Sequence, residues 1–226
     1  MKEIEIVRGT LESLEFTGWG LSSVAGLEPE GSGGLPCAAT LYKAYVVPAE
    51  ADPLLEGTYD EAAFHDTLEA TREAGFRELE KLRGRLDTDG IGHWTVPLGQ
   101  DPETLIGAFS AKRAAVLAGL GWIGRSTLFV TPEFGPRVKL FTVLLDVEPP
   151  EEPPEVRVSC GACRACVDAC AHGFISGKAW RASRPRDDLF DAFGCSSRRE
   201  ELGIPIGRKH YCGLCLLACP FGAPGG

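Results

Sequence analysis

The sequence predicts an α+β fold in two parts, a mixed body over residues 1–150 and a small cysteine-rich module over residues 151–226. Three observations lead there. Apolar residues at helical spacing and short strand-like runs share the first part, separated by glycine and proline punctuation. The segment Glu148-Pro-Pro-Glu-Glu-Pro-Pro-Glu155 then breaks the pattern, because four prolines and four glutamates in eight residues form neither helix nor central strand and read as a stiff, extended linker. Beyond it lie eight of the nine cysteines.

The elements of the body follow in order. Ala38 to Pro48 is apolar-rich after a glycine-rich turn and reads as a buried strand. Phe64, Leu68, Thr71, Gly75, Leu79, Leu82 and Leu86 recur at steps of three or four, which is one face of a long amphipathic helix beginning soon after Tyr59-Asp60. His93 to Val96 is a short strand ended by Pro97, and Ser110 to Ala118 is a helix with Ser110 as N-cap and Gly119 as its stop. Thr127 to Thr131 and Arg137 to Asp146 flank Pro132-Glu-Phe-Gly-Pro136 and predict a β-hairpin. Strands and helices in this order suit an α+β arrangement better than a doubly wound one.

The cysteines carry the chemistry. They run Cys160-x2-Cys163-x2-Cys166-x3-Cys170, then Cys195, then Cys212-x2-Cys215-x3-Cys219 followed by Pro220. A cubane [4Fe–4S] cluster needs four thiolates, and a C-x2-C-x2-C run supplies three from one tight loop. In two-cluster ferredoxins the last cysteine of each run ligates the other cluster, which assigns Cys160, Cys163, Cys166 and Cys219 to the first cluster. The second then has Cys170, Cys212 and Cys215. Its missing ligand is expected three residues after Cys215, where Ala218 stands, and Cys195 fills the vacancy. Zinc sites pair two separate knuckles and do not use the four-cysteine run. Disulfides are disfavoured because no signal peptide is visible at the N-terminus. Cys37, amid Gly-Ser-Gly-Gly-Leu-Pro, reads as a small buried hydrophobe.

Composition bounds the function. At 226 residues, 44% hydrophobic and 24% charged, the chain has the balance of a globular protein, with no apolar run long enough for a bilayer. No membrane association and a cytoplasmic location are expected. Residues 1–156 carry 13 Lys and Arg against 26 Asp and Glu, a net −13, whereas residues 157–226 carry 10 against 6, a net +4. Two clusters at formal charge 2− each bring the tail near neutrality. An acidic body argues against salt-driven nucleic-acid binding, and the tail's arginines read as counter-charge to the clusters.

One further segment stands out, Ala118-Gly-Leu-Gly-Trp-Ile-Gly-Arg-Ser-Thr127. Its glycines allow close backbone approach to a ligand. It fails as a nucleotide phosphate loop, which follows a strand and opens a helix, whereas here a helix precedes and a strand follows. Glycine spacing leaves structural turn and cofactor loop both open.

Taken together, Phe109 to Thr127, the turn through Gly135-Pro-Arg137, Cys160-Gly-Ala-Cys-Arg-Ala-Cys-Val-Asp-Ala-Cys170 and Cys212-Gly-Leu-Cys-Leu-Leu-Ala-Cys-Pro220 resemble the epoxyqueuosine reductase family, in particular its short relatives in anaerobes. The resemblance runs from about Phe64 to Phe221. It implies a cobalamin-binding domain with a nitroreductase and reductive-dehalogenase type architecture, followed by a ferredoxin-like two-cluster module. It further implies a corrinoid lined by Gly121, Trp122, Ile123, Gly124, Arg125 and Ser126, with flavin as the alternative cofactor.

Three departures qualify what carries over. Counting back from Ala118 places Leu105 where the family has a catalytic Asp, and leucine cannot donate a proton. Asp101 and Glu103 are nearby but read as solvated. The sequence shows no helical-repeat region after the cysteines to grip tRNA, so tRNA is an unlikely partner. Ala171 replaces the usual proline after the first run. His172 and His210 flank the motifs and read as structural. The expected function is a reductase passing electrons from two clusters to a corrinoid and on to an unknown substrate. A ferredoxin or flavodoxin is the expected donor, and a small molecule or a corrinoid protein the substrate. The alternative is a non-catalytic electron carrier or reductive activator of a partner corrinoid protein.

Overall fold

A computed structural model describes residues 2–27, 29, 32–48, 60–151, 156, 158–203 and 212–222. The linker residues 152–155 and His210 lie outside them. The elements are α1 (Lys2–Glu12), β1 (Gly18–Ser23), β2 (Cys37–Ala44), α2 (Glu61–Thr88), β3 (His93–Thr95), α3 (Ala111–Leu117), β4 (Trp122–Ile123), β5 (Phe129–Val130), β6 (Val138–Leu145), α4 (Ala165–Asp168), α5 (Ala192–Gly203) and α6 (Leu214–Leu217).

Two compact units interleave along the chain. The first comprises residues 1–44, 71–120 and 139–157, the second residues 45–70, 121–138 and 158–226. Compactness therefore does not follow a linear cut at residue 150, because Tyr45–Ala70 and Gly121–Val138 join the cysteine-bearing unit.

The first unit is built on a four-stranded sheet of order β1-β2-β6-β3, with β1 antiparallel to β2 and β3 antiparallel to β6. One face buries Leu21, Leu41, Phe141 and Val143 under Val7 and Leu11 of α1 and Leu79, Leu82 and Leu86 of α2. The other buries Ala38 and Leu144 with Phe109 and with Ala114 of α3. Packing on both faces explains why β6 is buried without alternation from Phe141 to Leu145, Thr142 included. Gly75 gives Phe141 its room, since a β-carbon there would collide with the ring. α3 ends in a Schellman motif: Leu120 N–H reaches Ala115 O at 3.0 Å, Gly119 N–H reaches Val116 O at 3.0 Å, and Gly119 takes φ 71°. Ser110 holds the N-cap position, but its side chain makes no capping bond, contrary to expectation.

In the second unit Tyr45, Phe64 and Leu68 form a small core with Leu216. The apolar stripe of α2 thus serves both cores, its first turns here and its later turns under the sheet. The expected hairpin between Thr127–Thr131 and Arg137–Asp146 does not form. β5 pairs back onto β4, in register Trp122 with Val130 and Ile123 with Phe129, while β6 joins the larger sheet. The sequence signal was the turn Thr131–Gly135, which closes on itself by a Thr131–Gly135 bridge and sends the chain elsewhere.

Candidate metal centre

Each cysteine run winds around one short helical turn. In the first, Cys163 N–H bonds to Cys160 O at 2.9 Å, and α4 follows with Cys166 at its second position and Cys170 two residues past its end. In the second, Gly213 in the left-handed region (φ 71°) starts α6, with Cys215 at its second position and Cys219 two residues past its end. α4 and α6 pack together.

Matching the helices aligns Cys163, Cys166 and Cys170 with Cys212, Cys215 and Cys219. The ligand lacking in the second run is then the counterpart of Cys160, three residues before Cys212, where the sequence has Lys209. That corrects the expectation that it falls at Ala218. Lys209 itself lies outside the described residues.

The thiols sort by their mutual electrostatics. Burial raises the Cys219 thiol, with Cys160 and Cys166 as its cysteine neighbours. Burial likewise raises Cys166, reinforced by Cys160 and Cys163. Cys195 is raised by burial and feels Cys212 and Cys170, while Arg199 pulls it down by charge and by a hydrogen bond. Cys215 is pushed up to about 12, first by burial and then by Cys212, Cys195, Cys166 and Cys170. Cys219 and Cys166 thus neighbour the first run, Cys195 neighbours Cys212 and Cys170, and Cys215 neighbours cysteines of both runs. No disulfide links the described cysteines, and the eight are half-buried. Among the described residues no three His, Cys, Asp or Glu close around a point as a single ion requires. As a donor set, eight half-buried thiols fit two clusters.

Cys195 comes from α5, whose start is fixed by Asp191: its carboxylate accepts from Gly194 N–H at 2.8 Å, and its carbonyl accepts from Cys195 N–H at 3.2 Å. Two arginines tie the surrounding chain down. Buried Arg137 donates to Leu217 O at 3.0 Å, Phe221 O at 2.9 Å and Cys219 O at 3.5 Å. Its place after β5 gave no sequence signal of this role. Arg125 donates to Gly161 O at 2.7 Å and to Gly177 O.

The structure brings the glycine segment to the first cysteine run. Trp122 Nε1 donates to Cys160 Sγ at 3.4 Å, and its ring meets Phe221 edge-on at 4.9 Å. Ser126, buried in the same segment, acts to lower the Cys166 thiol. A β-carbon at Gly121 would strike Val130 O, and one at Gly124 would lie 3.1 Å from Val130 Cγ2 and 3.5 Å from Cys160 Sγ. Ile123 is buried in the β4–β5 pair. The small residues thus make room for the chain's own strand and sulfur, which favours the structural-turn reading of their spacing.

The remaining candidates are placed as follows. Leu105 adopts φ 53° and its N–H bonds to Asp101 O at 2.8 Å. Asp101 accepts from Thr104 N–H at 2.8 Å, Thr104 Oγ1 at 2.9 Å and Glu103 N–H at 3.0 Å, which hold its carboxyl below the usual range. An acid kept ionised this way is a poor proton donor. His172 stacks on Phe174 at 5.5 Å. Burial raises the Cys37 thiol to about 11, as expected of an inert core cysteine.

An α+β fold carrying a cysteine-rich module suited to two clusters is the class these features define. Residues 159–222 match the 4Fe–4S double cluster binding domain. The chain is 33% identical over 117 residues to epoxyqueuosine reductase of Bacillus anthracis, covering 50% of this chain and 30% of that protein. It superposes on a crystal structure of epoxyqueuosine reductase with an epoxyqueuosine-modified tRNA-Tyr stem loop (TM-score 0.61, 19% identity, 98% of this chain and 65% of that one). It also superposes on a reductive dehalogenase described for B12-dependent dehalogenation (TM-score 0.64, 17% identity, 99% of this chain and 32% of that one). The resemblance to epoxyqueuosine reductases thus holds in sequence and in fold, and these relatives are oxidoreductases. The matched stretch spans less than a third of the Bacillus protein's length.

Proposed function

We propose that this chain is an iron–sulfur oxidoreductase that moves single electrons through two [4Fe–4S] clusters to a corrinoid and on to a substrate. The observation that carries it is the set of eight half-buried thiols within the stretch that matches a double cluster domain, which we assign as Cys160, Cys163, Cys166 and Cys219 for one cluster and Cys170, Cys195, Cys212 and Cys215 for the other. Cysteine binds iron as thiolate, so cluster assembly displaces protons from half-buried sites. A corrinoid supplies a strongly reducing, nucleophilic metal when bound. Kinship with a B12-dependent dehalogenase supports it here. The corrinoid-facing role of Gly121–Ser126 is proposed for the loop's backbone, because Trp122 and Arg125 spend their side chains on the cysteine side.

The functional division stays as proposed from sequence, residues 1–150 for the corrinoid and 151–226 for the clusters, with a ferredoxin or flavodoxin as donor. Anaerobically purified protein should hold about eight iron and eight sulfide per chain, and added cobalamin should change its visible spectrum at one equivalent. Protein with both clusters filled that leaves the cobalamin spectrum unchanged and takes up flavin would replace the corrinoid with a flavin.

Leu105 favours a second reading, in which the chain donates electrons to a partner's corrinoid and needs no proton donor of its own. Reduction of an added corrinoid protein by the pre-reduced chain, with no corrinoid retained by the chain itself, would select it.

A further inference from the structure

Trp122 and Ser126 are polar groups within a buried segment, and the indole spends its N–H on sulfur. The indole of Trp122 is 8% exposed, and its N–H is aimed at Cys160 Sγ at 3.4 Å. The Phe221 ring, edge-on at 80°, holds the indole in that orientation. Ser126, 7% exposed in the same loop, draws the Cys166 thiol down. Gly124 carries no side chain to wedge between Val130 and Cys160. Arg125 fixes the same loop to the run through the carbonyls of Gly161 and Gly177.

We propose that Trp122, with Ser126 behind it in the same loop, sets the reduction potential of the cluster bound by Cys160, Cys163, Cys166 and Cys219. The inference rests on the two-cluster reading above and gives the glycine segment a role that reading does not. When a cluster takes up one electron, negative charge spreads onto its cysteine sulfurs. A donor aimed at a sulfur stabilises that reduced state more than the oxidised one and so raises the potential, as hydrogen bonds to cluster sulfurs do generally. Trp122 and Ser126 are positioning residues here: they ligate nothing, and no proton is transferred in the step.

The test is a pair of variants, Trp122→Phe and Ser126→Ala, each compared with wild type for iron and sulfide content and for EPR-monitored reduction. Trp122→Phe keeps an aromatic ring and removes the N–H. The expected result is full iron content with one of the two reduction waves moved to more negative potential and the other unmoved, the shift being larger for Trp122→Phe. Wild type lacking a second cluster would sink the two-cluster reading itself. Wild type with both clusters, and both potentials unmoved in the variants, would overturn this proposal alone. If Trp122→Phe loses iron, Ser126→Ala decides: a shifted wave with full iron supports the assignment, and loss of iron there too shows that the loop only holds the run's shape and overturns it.

Discussion

Cys195 is where the centre departs from a regular repeat, and its variant separates the two clusters. The second run lacks a counterpart of Cys160, and α5 delivers Cys195 beside Cys170 and Cys212 instead. Cys195→Ala should halve the iron, to about four per chain, with the remaining cluster retaining its EPR signal; equal loss of both, in a protein still folded by circular dichroism, would break the assignment. Arg137 makes the opposite selection. Its guanidinium satisfies three carbonyls around Cys219, and leaving buried carbonyls unpaired costs about 1–3 kcal/mol each. Arg137→Met should therefore lower the thermal midpoint and release iron from the first cluster before the second. Cys37 should do neither. Its thiol is raised from 9.0 to about 11, so the stability it contributes is intact below pH 9 and lost as pH rises through 11. Cys37→Ala should keep full iron and show a shallower decline of thermal midpoint over that window.

At the scale of elements, segments bracketed by clear start and stop signals were legible, whereas α1, β1 and the single turns were not. α2 begins where Asp60 precedes the apolar stripe, and all of Phe64, Leu68, Leu79, Leu82 and Leu86 are buried. Gly119 ends α3 as its sequence suggests. β1 was missed because Gly18-Trp-Gly-Leu-Ser-Ser carries little strand propensity and depends on pairing with β2. α4 and α6 are single turns shaped around sulfur positions, too short for any period to show. The β4–β5 pair was misjudged because strand partners are set by contacts that a linear pattern does not contain. Its tight approach gives a test: Gly121→Ala places a methyl against Val130 O, and overpacking of this kind costs about 1–3 kcal/mol. Urea denaturation of the cluster-loaded protein should show that loss, whereas substitution at Gly99, where a β-carbon meets nothing, should not.

At the scale of the whole molecule, the two-cluster module could be read from cysteine spacing, whereas the interleaving of the two compact units could not. Nothing in the order of residues marks Tyr45–Ala70 and Gly121–Val138 as companions of the cysteine runs; packing of Tyr45, Phe64 and Leu68 with Leu216, and the reach of Arg125 and Arg137, make them so. Charge does survive as a whole-chain argument. A structural relative is described with a tRNA stem loop, yet residues 1–156 of this chain carry a net −13 and only residues 157–226 are basic, at +4. Each phosphate contact made by Lys or Arg releases counterions, so affinity resting on the tail alone should fall steeply with salt, while the acidic body repels the rest of the RNA. Several tail arginines are also engaged within the fold, Arg184 with Ala179 O and Arg198 with Glu201 at 3.0 Å. Filter binding of a tRNA stem loop should therefore be weak at 50 mM salt and lost by about 200 mM. Tight binding that persists across that range would mean recognition by shape and base contact, and would turn the substrate search toward RNA.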